Sequence, residues 1–496
     1  MKLSFITGEV WYGGAAAHGV LQPYTTDSHL QLELCPNPTP NQCAPLLLST
    51  RGRWLWAPDG LSAAFDGGTI TCPDGTILGQ NGATLRDAYL GAMAAHFPFH
   101  PCTLSPRLFE TPVYNTWIEL TFHQNQSAIL AYAHSLLEHG LPPGVLMIDD
   151  GWNDYYGKWT FSADAFPDPA AMLRELHALG FSVMVWVGPF ITPDSLEYRN
   201  LAGERLLVEE GGEPFLAHWW NGWSAVLDMT LAQARMWLKA QLNQLQALGV
   251  DGFKFDAGDS TYYPRSSSLP PDEHARAWAR FGEQYPLNEF RVTAGAGGWS
   301  LMQRQCDKDH SWGDTGLAAL IPSAIVQSLT GHPFLCPDMI GGGEYRNFYG
   351  QGRLDEELFV RWADAACLMP VMQFSAAPWR VLSPENFAHV LRTVELRRQW
   401  SPHLMQAIRD CARTGEPVLR PMAYHFQDAA CACVTDQFTV GDSLLAAPIL
   451  RPGTDRRRVY VPAGRWRHNR GALLESCGDW YTLSEKNGPI LLEKLS

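Results

Sequence analysis

Apolar strand-like runs alternate with amphipathic helical stretches across about 290 residues, and acidic residues recur where those strands end. The flanking segments lack this alternation and are rich in short apolar runs and turn residues. These observations predict an α/β protein. A (β/α)8 TIM barrel over residues 109–408 is flanked by an N-terminal β-rich, sandwich-like domain (1–108) and a small C-terminal β-sandwich (409–496).

Residues 1 to about 105 carry many Gly and Pro and no long helical pattern, which predicts strands. Val113 to Ile118 then reads as the first barrel strand and Gln126 to Glu138 as its helix. Gly144 to Ile148 is a strand ending at Asp149 and Asp150. Pro169 to Leu179 sets Met172, Leu173, Leu176 and Leu179 on one helical face. Phe181 to Val187 is unbroken apolar, as a strand covered on both sides should be. A helix from about Leu231 to Leu248 stops at Gly249, and Val250 to Phe255 forms a strand that delivers Asp256 to its carboxyl end. Another strand ends near Arg291. Leu317 to Leu329 is helical, and Pro333 to Pro337 leads into Asp338. Glu357 to Ala366 is a helix, Met369 to Phe374 a strand and Pro384 to Trp400 the last barrel helix. Ser443 to Leu450 and Arg458 to Val461 read as strands of the closing domain.

Composition narrows the function. Hydrophobic residues make up 46% of the 496, enough for a large core, and the net charge of -14 argues against nucleic-acid binding through a basic face. A neutral small ligand fits better. The 19 Trp suit the apolar faces of sugars, although most are expected in the core. The 11 Cys are odd in number and show no zinc-ribbon spacing, so reduced thiols, a cytoplasmic setting and no metal are expected. Met1 to Glu9 lacks the apolar run of a signal peptide, and no run has the length of a membrane span. No Gly-x-Ser-x-Gly elbow, phosphate loop or dinucleotide fingerprint occurs, so no cofactor is expected. Gly341 to Gly343 reads as a tight loop, and His310 and His332 as hydrogen-bonded loop residues. The expected partner is a small carbohydrate, not nucleic acid or membrane; homo-oligomerisation stays open.

Asp149, Trp186, Asp256, Arg291 and Asp338 come at or just after the carboxyl ends of five different strands. In such a barrel that edge carries the chemistry. Lys254, two residues before Asp256, would keep its acid ionised. Carboxylates converging with an Arg suit nucleophilic and acid–base work on a neutral substrate, with glycoside hydrolysis the natural candidate.

The ordered set Ile148-Asp-Asp-Gly-Trp152, Phe166-Pro-Asp-Pro169, Val185-Trp-Val-Gly-Pro-Phe-Ile191, Lys254-Phe-Asp256, Arg291 and Asp338-Met-Ile-Gly-Gly342 resembles glycoside hydrolase family 31 over roughly residues 110 to 400. Phe253 to Asp259, Tyr262 to Pro264, Pro337 to Met339, Met372 to Ser375 and Pro378 to Arg380 resemble its myogenesis-regulating glycosidase branch, which is associated with retaining α-galactosidase activity. The resemblance implies that Asp256 is the nucleophile. In the family the acid/base follows the strand-five Arg by 16 positions, and a Trp often follows it by five. That spacing selects Asp307, with Asp314 second and Asp309 third. The resemblance further implies that Asp149 binds sugar hydroxyls, that Trp186 forms an aromatic wall, and that Lys254 and Arg291 are the contacting bases. Asp150 and Trp379 are secondary candidates for the substrate-binding set, and Trp220 either lines the pocket from a loop after the third strand or packs in the core.

Two departures stand out. Family α-glucosidases and α-xylosidases usually place a His after the last strand, whereas Ser375-Ala-Ala-Pro-Trp-Arg380 has none, which favours galactose. The flanking β regions also look short, so the amino-terminal loop that usually reaches the site is expected to be reduced, with Trp11-Tyr-Gly-Gly14 as its remnant. The alternatives are another α-glycosidase of the family (α-glucosidase, α-xylosidase or sulfoquinovosidase) and a non-catalytic sugar-binding protein.

Overall fold

The computed structural model describes residues 1–266, 269–349 and 354–495. At its centre lie eight strands: β1 (Val113–Asn115), β2 (Val145–Ile148), β3 (Ser182–Val187), β4 (Gly252–Phe255), β5 (Asn288–Phe290), β6 (Gln303–Arg304), β7 (Leu335–Cys336) and β8 (Gln373–Phe374). They pair in parallel in the order β8-β1-β2-β3-β4-β5-β6-β7. A parallel bridge between Met339 and Gln373 joins the two ends, with the Ile340 N–H donating to the Gln373 carbonyl at 2.8 Å. The ring is therefore a closed (β/α)8 barrel with a sheet domain at each end of the chain.

The apolar runs of β2, β3 and β4 are buried almost throughout, which is why they read as continuous rather than alternating. The helix Ala232–Leu248 buries Leu238, Leu242 and Leu245. Each such side chain contributes about 1.5–3 kcal/mol of transfer free energy. Gly249 ends that helix at φ 118°, a left-handed conformation that glycine tolerates best, and turns the chain into β4. The helix Pro169–Ala178 starts at Asp168, whose side chain accepts from the Ala171 N–H at 2.9 Å, with Pro at its first position.

Several elements differ from expectation. β6 is made of two polar residues and has no apolar run to announce it. β8 is confined to Gln373–Phe374 instead of starting at Met369. The last barrel helix runs from Pro384 through Pro402 to Thr414, past residue 408, because Leu404, Ala407, Ile408 and Cys411 bury their side chains and carry it on. The N-terminal segment contains a 12-residue helix, Leu85–His96, opened by a capping box between Thr84 and Asp87. That cap satisfies the helix start locally, which the Gly- and Pro-rich surroundings obscured.

The rest of the N-terminal segment forms two four-stranded antiparallel sheets. Trp11, Leu47, Leu55 and Phe65 share the core between them. The C-terminal segment holds a six-stranded sheet and a two-stranded ribbon closed around Leu445, Val459, Val461, Trp466 and Ile490. Between β3 and β4 an antiparallel hairpin, Leu216–Trp219 with Gly222–Val226, rises over the barrel mouth. Among the described residues, no helix is long and apolar enough to cross a membrane.

Candidate active site

The carboxyl ends of the barrel strands open into a pocket of about 460 Å³. Asp149, Asp150, Trp186, Trp220, Lys254, Asp256, Arg291 and Asp307 all line it. Asp309 and Asp314 do not.

Asp256 follows β4 and is held from every side. Its Oδ1 accepts from Arg291 Nε at 3.0 Å and from the Ala257 N–H at 2.8 Å; its Oδ2 accepts from Trp186 Nε1 at 3.0 Å, with Lys254 Nζ at 3.4 Å. Burial pushes its pKa up, but the charges of Lys254, Arg291 and Arg304 outweigh burial and hold the carboxyl well below the usual range. The next residue, Ala257, sits at φ 54°, a strained setting for a residue with a Cβ and one that recurs at functional sites.

Asp149 caps β2 and accepts from Lys254 Nζ at 2.7 Å, closer than Lys254 comes to Asp256. Asp150 turns its carboxylate toward Tyr156 and Asn221, whose Oη and Nδ2 donate to Oδ2 at 3.0 and 2.8 Å. Burial and the neighbouring Asp149 raise its pKa to about 7. Asn221 and Trp220 occupy the tip of the hairpin, so an insertion after β3 closes one side of the pocket. Trp220 is 46% exposed and lies 5.3 Å from the Arg291 guanidinium, which places this ring in the site and not in the core.

Asp307 lines the same pocket from the segment after β6. Arg304 Nη1 donates to its Oδ1 at 2.7 Å, and the same guanidinium reaches Asp338 at 2.9 Å and Glu289 at 3.1 Å. Gly343 faces it closely: a Cβ there would lie 2.8 Å from Asp307 Oδ1, so only glycine leaves the acid its room. The Asp307 side chain is 46% exposed to the cleft, so water tempers every charge acting on it. Burial and Asp256 push its pKa up, but Arg304 and Lys254 win and the net direction is down. A general acid is usually served by a raised pKa. Arg304, which sequence reasoning did not single out, is the reason this one is lowered.

Other expectations are corrected. Trp379 is not in the pocket: it stacks on His139 at 4.6 Å and tilts against Tyr132, a packing role on the barrel flank. Asp338 is fully buried below the pocket, at φ 85°, where it accepts from Arg304 and from the Lys308 and Gly343 N–H groups. It anchors the walls instead of facing substrate. His310 lies against the Gly341 and Asp355 carbonyls, as a hydrogen-bonded loop residue should. His332 does not: both ring nitrogens are buried without a partner among the described residues, and burial lowers its pKa to about 3.

Trp11 to Gly14 is a buried strand, not a loop at the site. The N-terminal segment reaches the pocket elsewhere. Asn41 Nδ2 and Gln42 Nε2 donate to the Arg291 carbonyl at 3.0 and 2.7 Å, and Arg291 Nη1 donates to the Pro40 carbonyl at 3.0 Å. Asp259 was also missed as a site residue. It accepts from Arg291 Nη2 at 2.8 Å and Nη1 at 3.2 Å, leaving Nε for Asp256. Its place three residues after Asp256 was the available signal. Trp117, Phe122 and Tyr345 form an aromatic rim that no local pattern marked. No cluster of three or more His, Cys, Asp or Glu with metal-binding geometry occurs among the described residues.

The Glycosyl hydrolases family 31 TIM-barrel domain matches residues 113–296, and the Glycosyl hydrolase family 31 C-terminal domain matches 415–492. The chain is 36% identical over 384 residues to the myogenesis-regulating glycosidase of Mus musculus, covering 74% of this chain and 53% of that protein. It is 25% identical over 343 residues to the sulfoquinovosidase of Escherichia coli (strain K12), covering 64% and 49%. The chain thus spans about half the length of these curated relatives. A dextranase structure from Flavobacterium johnsoniae superposes with a TM-score of 0.85 at 17% identity, over 100% of this chain and 66% of that one, a likeness of fold.

Proposed function

The chain belongs to glycoside hydrolase family 31, and from that premise we propose that it is a retaining α-glycosidase acting on terminal α-linked galactose. The observation that carries the reading is a pocket holding two carboxylates of unlike setting, Asp256 fixed and ionised and Asp307 open to the cleft.

Asp256 attacks the anomeric carbon while Asp307, reacting from the protonated fraction that Arg304 keeps small in the free site, gives its proton to the leaving oxygen. A β-glycosyl-enzyme forms and the aglycone departs. Asp307, now a carboxylate, takes a proton from water as that water attacks, and α-galactose leaves with Asp256 restored. The electrostatics follow this cycle. The Asp256 charge is one of the influences that raises Asp307, and it vanishes when Asp256 forms its ester. Asp307 therefore becomes more acidic at the moment it must act as a base. Asp149 and Asp150 line the pocket with Trp186, which supports a role in accepting from sugar hydroxyls.

The preference for galactose rests on the sequence after β8. Ser375 stands in the segment where the family's α-glucosidases and α-xylosidases usually carry a His. Its Oγ accepts from the Ile118 N–H at 2.8 Å, a structural use. A sulfoquinovoside brings a sulfonate that needs a cation free of carboxylates. Lys254, Arg291 and Arg304 are each already paired with carboxylates, whereas Arg346 at the pocket's edge reaches Glu344 only at 3.9 Å, so the sulfoquinovoside is the main competitor to test. A panel of aryl α-galactoside, α-glucoside, α-xyloside and α-sulfoquinovoside tests the reading. Fastest turnover of the galactoside is expected; preference for another sugar overturns the specificity, and binding without turnover of any overturns the activity.

A further inference from the structure

The structure assigns a second ligand site to the C-terminal domain: we propose that the cavity walled by Arg451, Arg456, Arg458 and Trp480 binds a sugar carrying a phosphate or sulfate ester. The cavity measures about 380 Å³ and has Ile449 and Leu450 in its lining. Its wall is the two-stranded ribbon of Arg456–Val461 with Asp479–Ser484. Register pairs Arg458 with Thr482 and Tyr460 with Trp480, so the strand period of two sets Arg456, Arg458, Trp480, Thr482 and Ser484 on one face.

Arg457 and Asp436 also line the cavity, and Arg457 is spent on structure. It pairs with Asp436 at 2.6 Å and donates to the Pro448 carbonyl at 2.7 Å. The others are not. Arg451 and Arg458 have no carboxylate within ion-pair distance among the described residues, and Arg456 reaches Asp455 only at 3.8 Å. The Arg458 guanidinium lies 5.1 Å over the Trp480 ring, and that ring packs edge-on to Tyr460 at 5.5 Å. A stacked guanidinium keeps its planar donor fork in a restricted orientation, which suits bidentate binding of an oxyanion. The cavity sets four guanidiniums, Arg451, Arg456, Arg457 and Arg458, against one carboxylate, Asp436, so an entering anion offsets an excess of positive charge. The apolar lining gives a sugar ring a surface to rest on, which a bare anion would not use. The net charge of -14 disfavours a long polyanion in the same place.

Isothermal titration of the whole chain with galactose 6-phosphate, galactose 6-sulfate, inorganic phosphate and galactose tests this. Binding of one or both esters, tighter than inorganic phosphate and weakened by salt, is expected. The double variant Arg451→Ala/Arg458→Ala weakens it by about tenfold or more. Trp480→Ala weakens it less, and Asp149→Asn in the barrel pocket leaves it intact. Circular dichroism confirms that the surface variants fold, so the outcome does not depend on the barrel's activity. Four results overturn the proposal: no ester binding, ester binding that survives the double variant, ester binding lost in Asp149→Asn, and inorganic phosphate binding as tightly as the esters.

Discussion

Two regions of the barrel pocket treat their carboxylates differently. After β4, Asp256 is buried and receives hydrogen bonds from Arg291, Trp186 and its own following N–H. After β6, Asp307 is half open to the cleft and has one hydrogen-bonded charged partner, Arg304. A nucleophile must be ionised and aimed, which many fixed donors achieve. An acid that turns into a base must change protonation in each cycle, which a single partner and access to water allow. The supports differ too. Arg291 is held by Asp259 and by the N-terminal loop, whereas Arg304 is held within the barrel by Glu289 and Asp338.

The strongest way to break this contrast is Asp256→Asn, which should lower kcat on an aryl α-galactoside by about 10⁴-fold or more while leaving thermal unfolding cooperative. Asp307→Ala should cost about 10²–10⁴-fold on substrates with poor leaving groups and far less on a dinitrophenyl glycoside. Asp314→Ala should show no such dependence, because Asp314 lies outside the pocket. Arg304→Gln sharpens the comparison through pH. Arg304 holds the Asp307 pKa down, so its removal raises that pKa and moves the basic limb of kcat/KM to higher pH. A purely structural role would lower activity without moving the limb. The same change strands Glu289 and Asp338, and a stability loss of about 3–5 kcal/mol is expected by denaturant titration. Trp379→Ala should have the smallest kinetic effect: kcat/KM on the galactoside stays within about twofold while the melting temperature falls, since its ring packs on the barrel flank.

How much of this was legible followed from where each residue finds its partners. β3 announces itself because a strand covered on both faces needs an unbroken apolar run, and β4 is a buried strand interrupted only by Lys254, with Asp256 conspicuous at its end. β6 is silent because Arg304 inside the barrel is satisfied by Glu289 and Asp338, so its strand carries no apolar signature. The N-terminal reach was misplaced because Asn41 and Gln42 bind a carbonyl about 250 residues away, which no local pattern records. Trp220 and Trp379 look alike as letters. A hairpin tip makes one a pocket wall and a helix flank makes the other filler. Spacing to Arg291 selected Asp307, which lines the pocket, but its depressed pKa needed Arg304 in place.

The central claim is that Asp256 forms the covalent bond to the sugar. Incubation with a fluorinated α-galactosyl fluoride, followed by proteolysis and mass spectrometry, tests it most directly. The account predicts one equivalent of label on the peptide containing Asp256, and none in Asp256→Asn. Label on Asp307, Asp259 or any other carboxylate would contradict it.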